Sequence, residues 1–180
     1  MPGSLRDALI GMCERNGAWR TNTAVHESGH VVYAHAVGGC GISVEIFPSE
    51  SLRRENLFGR ATIRNQDTFS DEEYIGLCVS GRMGEIEATK ICVQLENDDR
   101  RYGDWQTGDL GNANNWLSGL RREYGDDSTA RLKSNAIAFA QNIVRSNMPR
   151  IVFVAAELLR AGRLNIAETE AVLLAAPPLG

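Results

Sequence analysis

Hydrophobic positions in the chain recur mostly at helical spacing. The first helical stretch covers residues 5–16 and follows Ser4, whose hydroxyl can cap a helix. A second stretch runs to Val37, and either Thr21 or Thr23 can serve as its N-cap. Further helices are predicted at about 70–90, 109–125, 128–146, 149–160 and 167–177.

Between Gly41 and Arg64 the period changes from helical to alternating. Apolar and polar residues alternate in I-S-V-E-I-F and again, after a polar turn region, in L-F-G-R-A-T-I-R. These two segments predict a pair of strands. With no repeat or linker in its 180 residues, the chain is expected to form one mainly α (α+β) domain over 1–180, with a small β-sheet after the second helix.

Charge and composition narrow the class of function. Nineteen Lys and Arg against 23 Asp and Glu give a net charge of −4, so nucleic acid is not an expected partner. No apolar run is long enough to span a membrane, and the N-terminus lacks a signal-peptide pattern, so we expect a cytoplasmic protein without membrane insertion. The four cysteines form no C-x-x-C pair and are expected to be free thiols.

Residues 26–30 have the sequence H-E-S-G-H and fall inside the second predicted helix. Positions i and i+4 of a helix are about 40° apart, so His26 and His30 project side by side and can hold one Zn²⁺. Glu27 stands beside such a metal without ligating it. There it can take a proton from a water that the metal acidifies and pass this proton to a leaving amine. If the two histidines were instead ordinary buried side chains, Glu27 would be an unexplained buried charge.

A catalytic zinc site needs a third protein ligand and an open fourth position. His35 follows His26 by nine residues and therefore projects from the opposite side of the helix. The metzincin spacing is excluded, because Tyr33 and Ala36 stand where that pattern needs Gly and His. The third ligand is therefore expected on another helix, and spacing alone leaves four candidates. They are Glu85, Glu87, Asp104 and Asp109.

In their order along the chain, these motifs resemble the peptidase domain of the FtsH-type, membrane-anchored, ATP-dependent zinc metalloproteases. A-V-H-E-S-G-H-V-V is similar to the family's H-E-A-G-H helix, and S-G-R-M-G-E-I is similar to its G-G-R-x-A-E-E helix. T-G-D-L-G-N-A-N, with E-Y-G after it, resembles the family's T-G-A-x-x-D-L-x-x-A-T segment and its M-V-x-x-Y-G ending. The tail E-L-L-R-A-G-R-L-N-I-A-E-T-E-A-V-L resembles the closing helices, so the likeness covers about residues 20–175.

The resemblance implies a helical, zincin-like fold and a zinc-dependent endopeptidase that acts on unfolded proteins or peptides. It implies Asp109 as the third zinc ligand and Glu85 as a residue that orients a ligand. Asp104 remains a substitute for Asp109, because T-G is followed directly by D in this chain. The strand at 58–64 corresponds to the family's substrate-pairing strand. Family members form rings, so the resemblance implies a homo-oligomer. They also carry an ATPase. This sequence contains no G-x-x-x-x-G-K-[ST], the motif of an ATP-binding loop, so a separate ATPase is the implied partner.

Two other interpretations stay open at this point. The domain can be a metal-binding but proteolytically silent module that regulates or serves a separate partner, or a zinc hydrolase of small molecules that reuses the H-E-x-x-H helix. Trp105 and Trp116, on either side of Asp109, are expected to be core or covering residues rather than cleft residues. The charged run Glu96–Arg101 is expected to be a solvated loop.

Overall fold

Seven α-helices and three short strands make up residues 4–47, 59–95 and 108–180, which are the residues that the computed structural model describes. The helices are α1 (Leu5–Asn16), α2 (Ala18–Ala36), α3 (Asp71–Ile91), α4 (Gly108–Tyr124), α5 (Asp126–Ser146), α6 (Met148–Ala161) and α7 (Ile166–Ala175). The strands are β1 (Ser43–Ile46), β2 (Gly59–Thr62) and β3 (Arg163–Leu164), in the antiparallel order β2-β1-β3. The predicted mainly α (α+β) class, with a small sheet after α2, is confirmed.

Most helices begin within two residues of their predicted starts. Ser4 and Ser70 form capping boxes at the beginnings of α1 and α3, as their sequence context indicates. β3 is not predicted, because a strand of two residues carries no hydrophobic period. It is formed by pairing with Val44 and Glu45 of β1, an interaction between distant parts of the chain.

The expected N-cap of α2 is wrong. The helix begins at Ala18, directly after Gly17, whose φ of 81° lies in the left-handed region that glycine tolerates best. Thr21 and Thr23 therefore lie inside the helix. Their hydroxyls donate to the carbonyls of residues 17 and 19, one turn earlier, at 3.0 and 3.1 Å. This bonding explains how two threonines are accommodated in a buried helical segment.

Helix α2 is the centre of the domain. Every residue from Thr21 to Ala34 is buried, so this part of the helix is covered on all its faces. α3 and α6 make the most extensive contacts with it, and α1, α5, β1 and β2 complete its surroundings. A helix that is buried all round belongs to a core. The H-E-S-G-H segment therefore lies inside the protein, where its polar side chains require partners.

Glycine allows α2 and α3 to approach closely. A Cβ atom on Gly29 would lie 2.7 Å from the carbonyl oxygen of Ser80 and 3.1 Å from the Cα atom of Gly81. On the facing helix, a Cβ on Gly84 would lie 3.2 Å from the carbonyl oxygen of Val25. These are backbone contacts that no rotamer change can relieve. The distance between the two helices is therefore set by residues without side chains.

Some sequence predictions fall on positions that the structure does not describe. Asp104, Trp105, Phe58 and the run Glu96–Arg101 lie outside the described residues. All four cysteines lie within them and are free thiols, as predicted. No helix in the described ranges combines the length and the apolar character that crossing a membrane requires.

Replacing Gly29 by Ala tests the close contact between α2 and α3. The added methyl group would overlap backbone atoms of α3, and we expect a loss of about 1–3 kcal/mol in the free energy of unfolding. Gly119→Ala is the matched control, because a Cβ there meets no atom within 4 Å. In an exposed helix interior, that change should stabilise by about 0.5–1 kcal/mol. Chemical denaturation of both variants measures the difference, and equal effects would contradict the packing argument.

Candidate metal centre

Three side-chain atoms from two helices converge on one point. Nε2 of His26 and Nε2 of His30, both on α2, lie 3.1 Å apart. Oδ2 of Asp109, in the first turn of α4, lies 3.1 Å from the first and 3.2 Å from the second. A tetrahedral metal with bonds of about 2.0 Å separates its ligand atoms by about 3.3 Å. The three atoms thus form a nearly equilateral triangle of the size of one face of such a site, and the group can hold a metal ion.

Hydrogen bonds at the far side of each imidazole fix which nitrogen faces this triangle. Nδ1 of His30 donates to the carbonyl oxygen of Leu77 at 2.8 Å and lies 3.1 Å from the Ser80 hydroxyl. Nδ1 of His26 lies 2.7 Å from Oε1 of Glu85, whose other oxygen accepts from Arg82 at 2.8 Å. Because a backbone carbonyl and a carboxylate only accept, both Nδ1 atoms carry hydrogen. In the neutral imidazoles, both Nε2 lone pairs then point into the triangle.

The triangle has the chemistry of a cation site. Two nitrogen lone pairs and a carboxylate oxygen within 3.2 Å of one another repel unless a proton or a metal ion lies among them. Gly81 provides the space: a Cβ there would lie 2.5 Å from Nε2 of His30 and 2.6 Å from Nε2 of His26. The residues present therefore fit a divalent metal with two imidazole ligands and one carboxylate ligand.

The pKa values of His26 and Asp109 shift in opposite directions, because each group lies close to groups of opposite charge. Burial lowers the pKa of His26, but the carboxylates of Glu85 and Asp109 outweigh burial and raise it well above its ordinary value. Burial opposes ionisation of Asp109, but the two imidazoles hold the pKa of this carboxyl well below its usual range. Both shifts favour the charged forms, an imidazolium at His26 beside a carboxylate at Asp109.

Glu27 lies at the edge of this centre, between α2 and β2. Its side chain is buried, and a Cβ on Gly59 would lie 2.6 Å from its Oε1 atom. The carboxylate therefore occupies space that a side chain at the first residue of β2 would fill. Burial raises the pKa of Glu27, and the nearby carboxylates add to the shift, although the two imidazoles oppose it. The group is a carboxyl with increased affinity for a proton, placed beside the cation site.

The three side chains differ in exposure to solvent. The side chains of His26 and His30 are 10% and 8% exposed, whereas that of Asp109 is 46% exposed. The two imidazoles are thus buried, and Asp109 is the most exposed member of the triangle.

The other sequence candidates have different positions. Glu85 contacts a ligand through the hydrogen bond to His26 and is not itself part of the triangle. Glu87 pairs instead with Lys90 at 2.7 Å and Arg145 at 3.4 Å. His35 is not in the group, and Asp104 lies outside the described residues.

Sequence reasoning missed the residues that act through the backbone or through the lack of a side chain. Leu77 contributes a carbonyl oxygen, and any residue type can do this, so no signal marks it. Gly59 and Gly81 contribute by lacking a side chain, which leaves room for the Glu27 carboxylate and for the two Nε2 atoms. The glycine of S-G-R carried a usable signal, because glycine inside a predicted helix has an energetic cost and often indicates close packing.

A scan against protein-family models gives no match for this chain, and a search of curated proteins gives none either.

Loss of a ligand should abolish stoichiometric zinc binding. His26→Ala, His30→Ala and Asp109→Asn are each expected to weaken zinc binding by more than about a hundredfold, because even outer-shell partners are worth about 10–100-fold. His35→Ala is the control, since His35 lies on the same helix outside the triangle. Competition with a chromogenic chelator measures the affinities. Wild-type affinity in any of the three ligand variants would remove that residue from the site.

Zinc binding should reverse the pH dependence of stability. In metal-free protein, the raised pKa of His26 stabilises the fold below the unfolded pKa of about 6.5, and this contribution is lost as pH rises through the folded pKa. Zinc binding requires the deprotonated imidazole, so zinc should stabilise more as pH rises. Thermal unfolding between about pH 6 and pH 9, with chelator and with excess zinc, measures both trends. Parallel pH profiles would contradict the proton–metal competition.

Proposed function

We propose that this domain is a zinc-dependent endopeptidase that hydrolyses peptide bonds in unfolded proteins or peptides. The observation that carries the proposal is the triangle formed by His26, His30 and Asp109, with the buried carboxyl of Glu27 beside it. An H-E-x-x-H helix that supplies two ligands and a neighbouring glutamate is the arrangement that metal-assisted peptide hydrolysis needs. The resemblance of the ordered motifs to FtsH-type peptidase domains supports the same function.

Zinc is the metal that the donor set favours. Two imidazoles and one carboxylate, with a fourth position open, are the ligands of several catalytic zinc sites. When bound, zinc supplies Lewis acidity, which acidifies water and polarises a scissile carbonyl. The protein's part is to hold the ion in fixed geometry through Leu77, Ser80 and Glu85, which orient the two imidazoles.

Glu27 is the proposed general base and then the general acid. Burial raises the pKa of Glu27 and so moves it towards neutral pH. A group with such a pKa can both accept and release a proton within one reaction cycle. It would accept the proton of the attacking water at a carboxylate oxygen and deliver it to the leaving amine. Contact with Gly59 limits where the carboxylate can move, which keeps it beside the cation site.

Strand β2 offers a way to hold the substrate. Among the described strands it pairs with β1 alone, so no described strand covers its other edge, and its first residue, Gly59, lies against Glu27. An extended peptide that added to this edge would therefore pass the proposed base. Main-chain hydrogen bonds hold such a peptide with little demand on its sequence, and they require a chain that is not folded. This edge supports unfolded polypeptides as the substrate class.

Glu27→Gln should remove cleavage and keep the metal. We expect a loss of about 10²–10⁴-fold in the hydrolysis of casein or a fluorogenic peptide, because an amide cannot accept the proton. Zinc affinity should change little, since Glu27 is not a member of the ligand triangle. Glu87→Gln is the matched control: it changes a buried glutamate that pairs with Lys90 and Arg145, away from the ligands.

Wild-type cleavage by Glu27→Gln would contradict the assigned mechanism. Stoichiometric zinc without cleavage of any unfolded substrate would instead favour a metal-binding module that is proteolytically silent. Chelator-sensitive activity confined to a small non-peptide molecule would favour a different hydrolase.

A further inference from the structure

Helix α4 carries Asp109, and Leu110 beside it packs against the main core around α2. Farther along, α4 also joins a second, separate hydrophobic cluster. It consists of Ile75, Cys78, Ala113, Leu117, Leu120 and Ala136. Asp109 is the one member of the ligand triangle that does not come from α2. Its distance to the two imidazoles therefore depends on how α4 docks on α3 and α5, the two helices that it contacts most.

A polar contact joins α4 to the beginning of α3 at the edge of this cluster. Nε1 of Trp116 donates to Oδ1 of Asp71 at 2.9 Å. The indole ring also packs on Tyr74, with ring centroids 4.7 Å apart and an angle of 43° between the planes. We call Asp71, Tyr74 and Trp116 the indole clamp. Because Trp116 is 44% exposed, the clamp buries little apolar surface. Its main effect is the orientation of α4 that the hydrogen bond imposes, and the apolar cluster supplies most of the buried surface.

The clamp and the ligand lie on the same face of α4. Trp116 follows Asp109 by seven residues, which is close to two turns and about 10 Å along the helix axis. A tilt of about 10° around Trp116 would therefore move Asp109 by almost 2 Å, whereas metal ligands must be placed within about 0.2 Å. The hydrogen bond from Trp116 to Asp71 adds a directional constraint to the apolar packing of Leu110 and Ala113, which lie between the two ends.

Helix α3 is the common reference for all three ligands. It orients His30 through Leu77 and His26 through Glu85, and its first turn holds α4 through Asp71. A fixed clamp would thus hold Asp109 at a constant position relative to α3, which also orients the two imidazoles. We propose that Trp116 is a positioning residue, which sets the location of Asp109 for metal binding through its hydrogen bond to Asp71. This inference rests on the proposed metal centre and is independent of whether the domain cleaves peptides.

The test measures zinc affinity, by competition with a chromogenic chelator, in the purified 180-residue chain. Trp116→Phe keeps an aromatic ring on Tyr74 and removes the N–H donor, and Asp71→Ala removes the acceptor. Each should weaken zinc binding by about tenfold, the lower end of what outer-shell contacts contribute. Asp71→Asn keeps a carbonyl acceptor and should restore affinity to within about threefold of wild type. Glu72→Ala is the matched control: it removes an acidic residue from the same helical turn, outside the clamp.

Two further measurements separate positioning from general stability. The absorption spectrum of the Co²⁺-loaded protein should change in Trp116→Phe towards that of Asp109→Asn, because both loosen the same ligand. Adding Trp116→Phe to Asp109→Asn should cause no further loss of affinity, since the clamp acts through the residue already removed.

Wild-type zinc affinity in both Trp116→Phe and Asp71→Ala would overturn the inference. An equal loss in Glu72→Ala, or a full tenfold loss when Trp116→Phe is added to Asp109→Asn, would do so as well. Absence of zinc binding by the wild-type protein would instead remove the metal centre itself. Loss of peptide cleavage alone would affect only the proposed function.

Discussion

The contact between Gly29 and the backbone of Ser80 and Gly81 sets the geometry on which the metal centre depends. At this separation, α3 contributes no ligand to the triangle, yet it orients both imidazoles of α2. The Leu77 carbonyl and the Glu85 carboxylate accept hydrogen bonds from Nδ1 of His30 and Nδ1 of His26, and Gly81 leaves room beside both Nε2 atoms. A wider helix pair would lengthen these hydrogen bonds and release the imidazoles from their orientation. The paired helices are therefore the scaffold of the candidate metal site, and side chains at their contact would disrupt this geometry.

Burying this cluster has an electrostatic cost that a divalent cation would offset. Glu27 and Glu85 are buried, Asp109 is a member of the triangle, and Arg82 pairs with Glu85. When all three carboxyls are ionised and the imidazoles are neutral, these groups together carry two negative charges. Isolated charges are expensive to bury, and the pKa values of Glu27 and His26 are both raised, the direction that reduces the net negative charge. One divalent ion would balance the same charge without added protons.

Local signals in the sequence predicted much of the fold and part of the site. Helical period and serine caps located α1 and α3, and the H-E-x-x-H spacing brought His26 and His30 to one face of α2. Local signals could not choose between Asp109 and the other acidic candidates, because that choice depends on where the packing of α3 and α4 places each carboxylate relative to the two imidazoles. They also could not reveal β3, whose two residues are ordered by pairing with distant β1. The Leu77 carbonyl was equally hidden, because backbone atoms have no residue signature.

The division of the candidate ligands between two helices would link metal binding to the docking of α4. His26 and His30 lie on α2, whereas Asp109 lies on α4, which packs on the smaller cluster and, through Leu110, on the main core. A metal that binds all three ligands would join α2 to α4. By linkage, the free energy that correct docking adds to metal affinity equals the free energy that bound metal adds to docking. Asp109, the most exposed ligand, is therefore the residue through which metal binding would stabilise the docking of α4. The hydrogen bond of Trp116, two turns away on the same helix, would affect both the docking and the metal affinity.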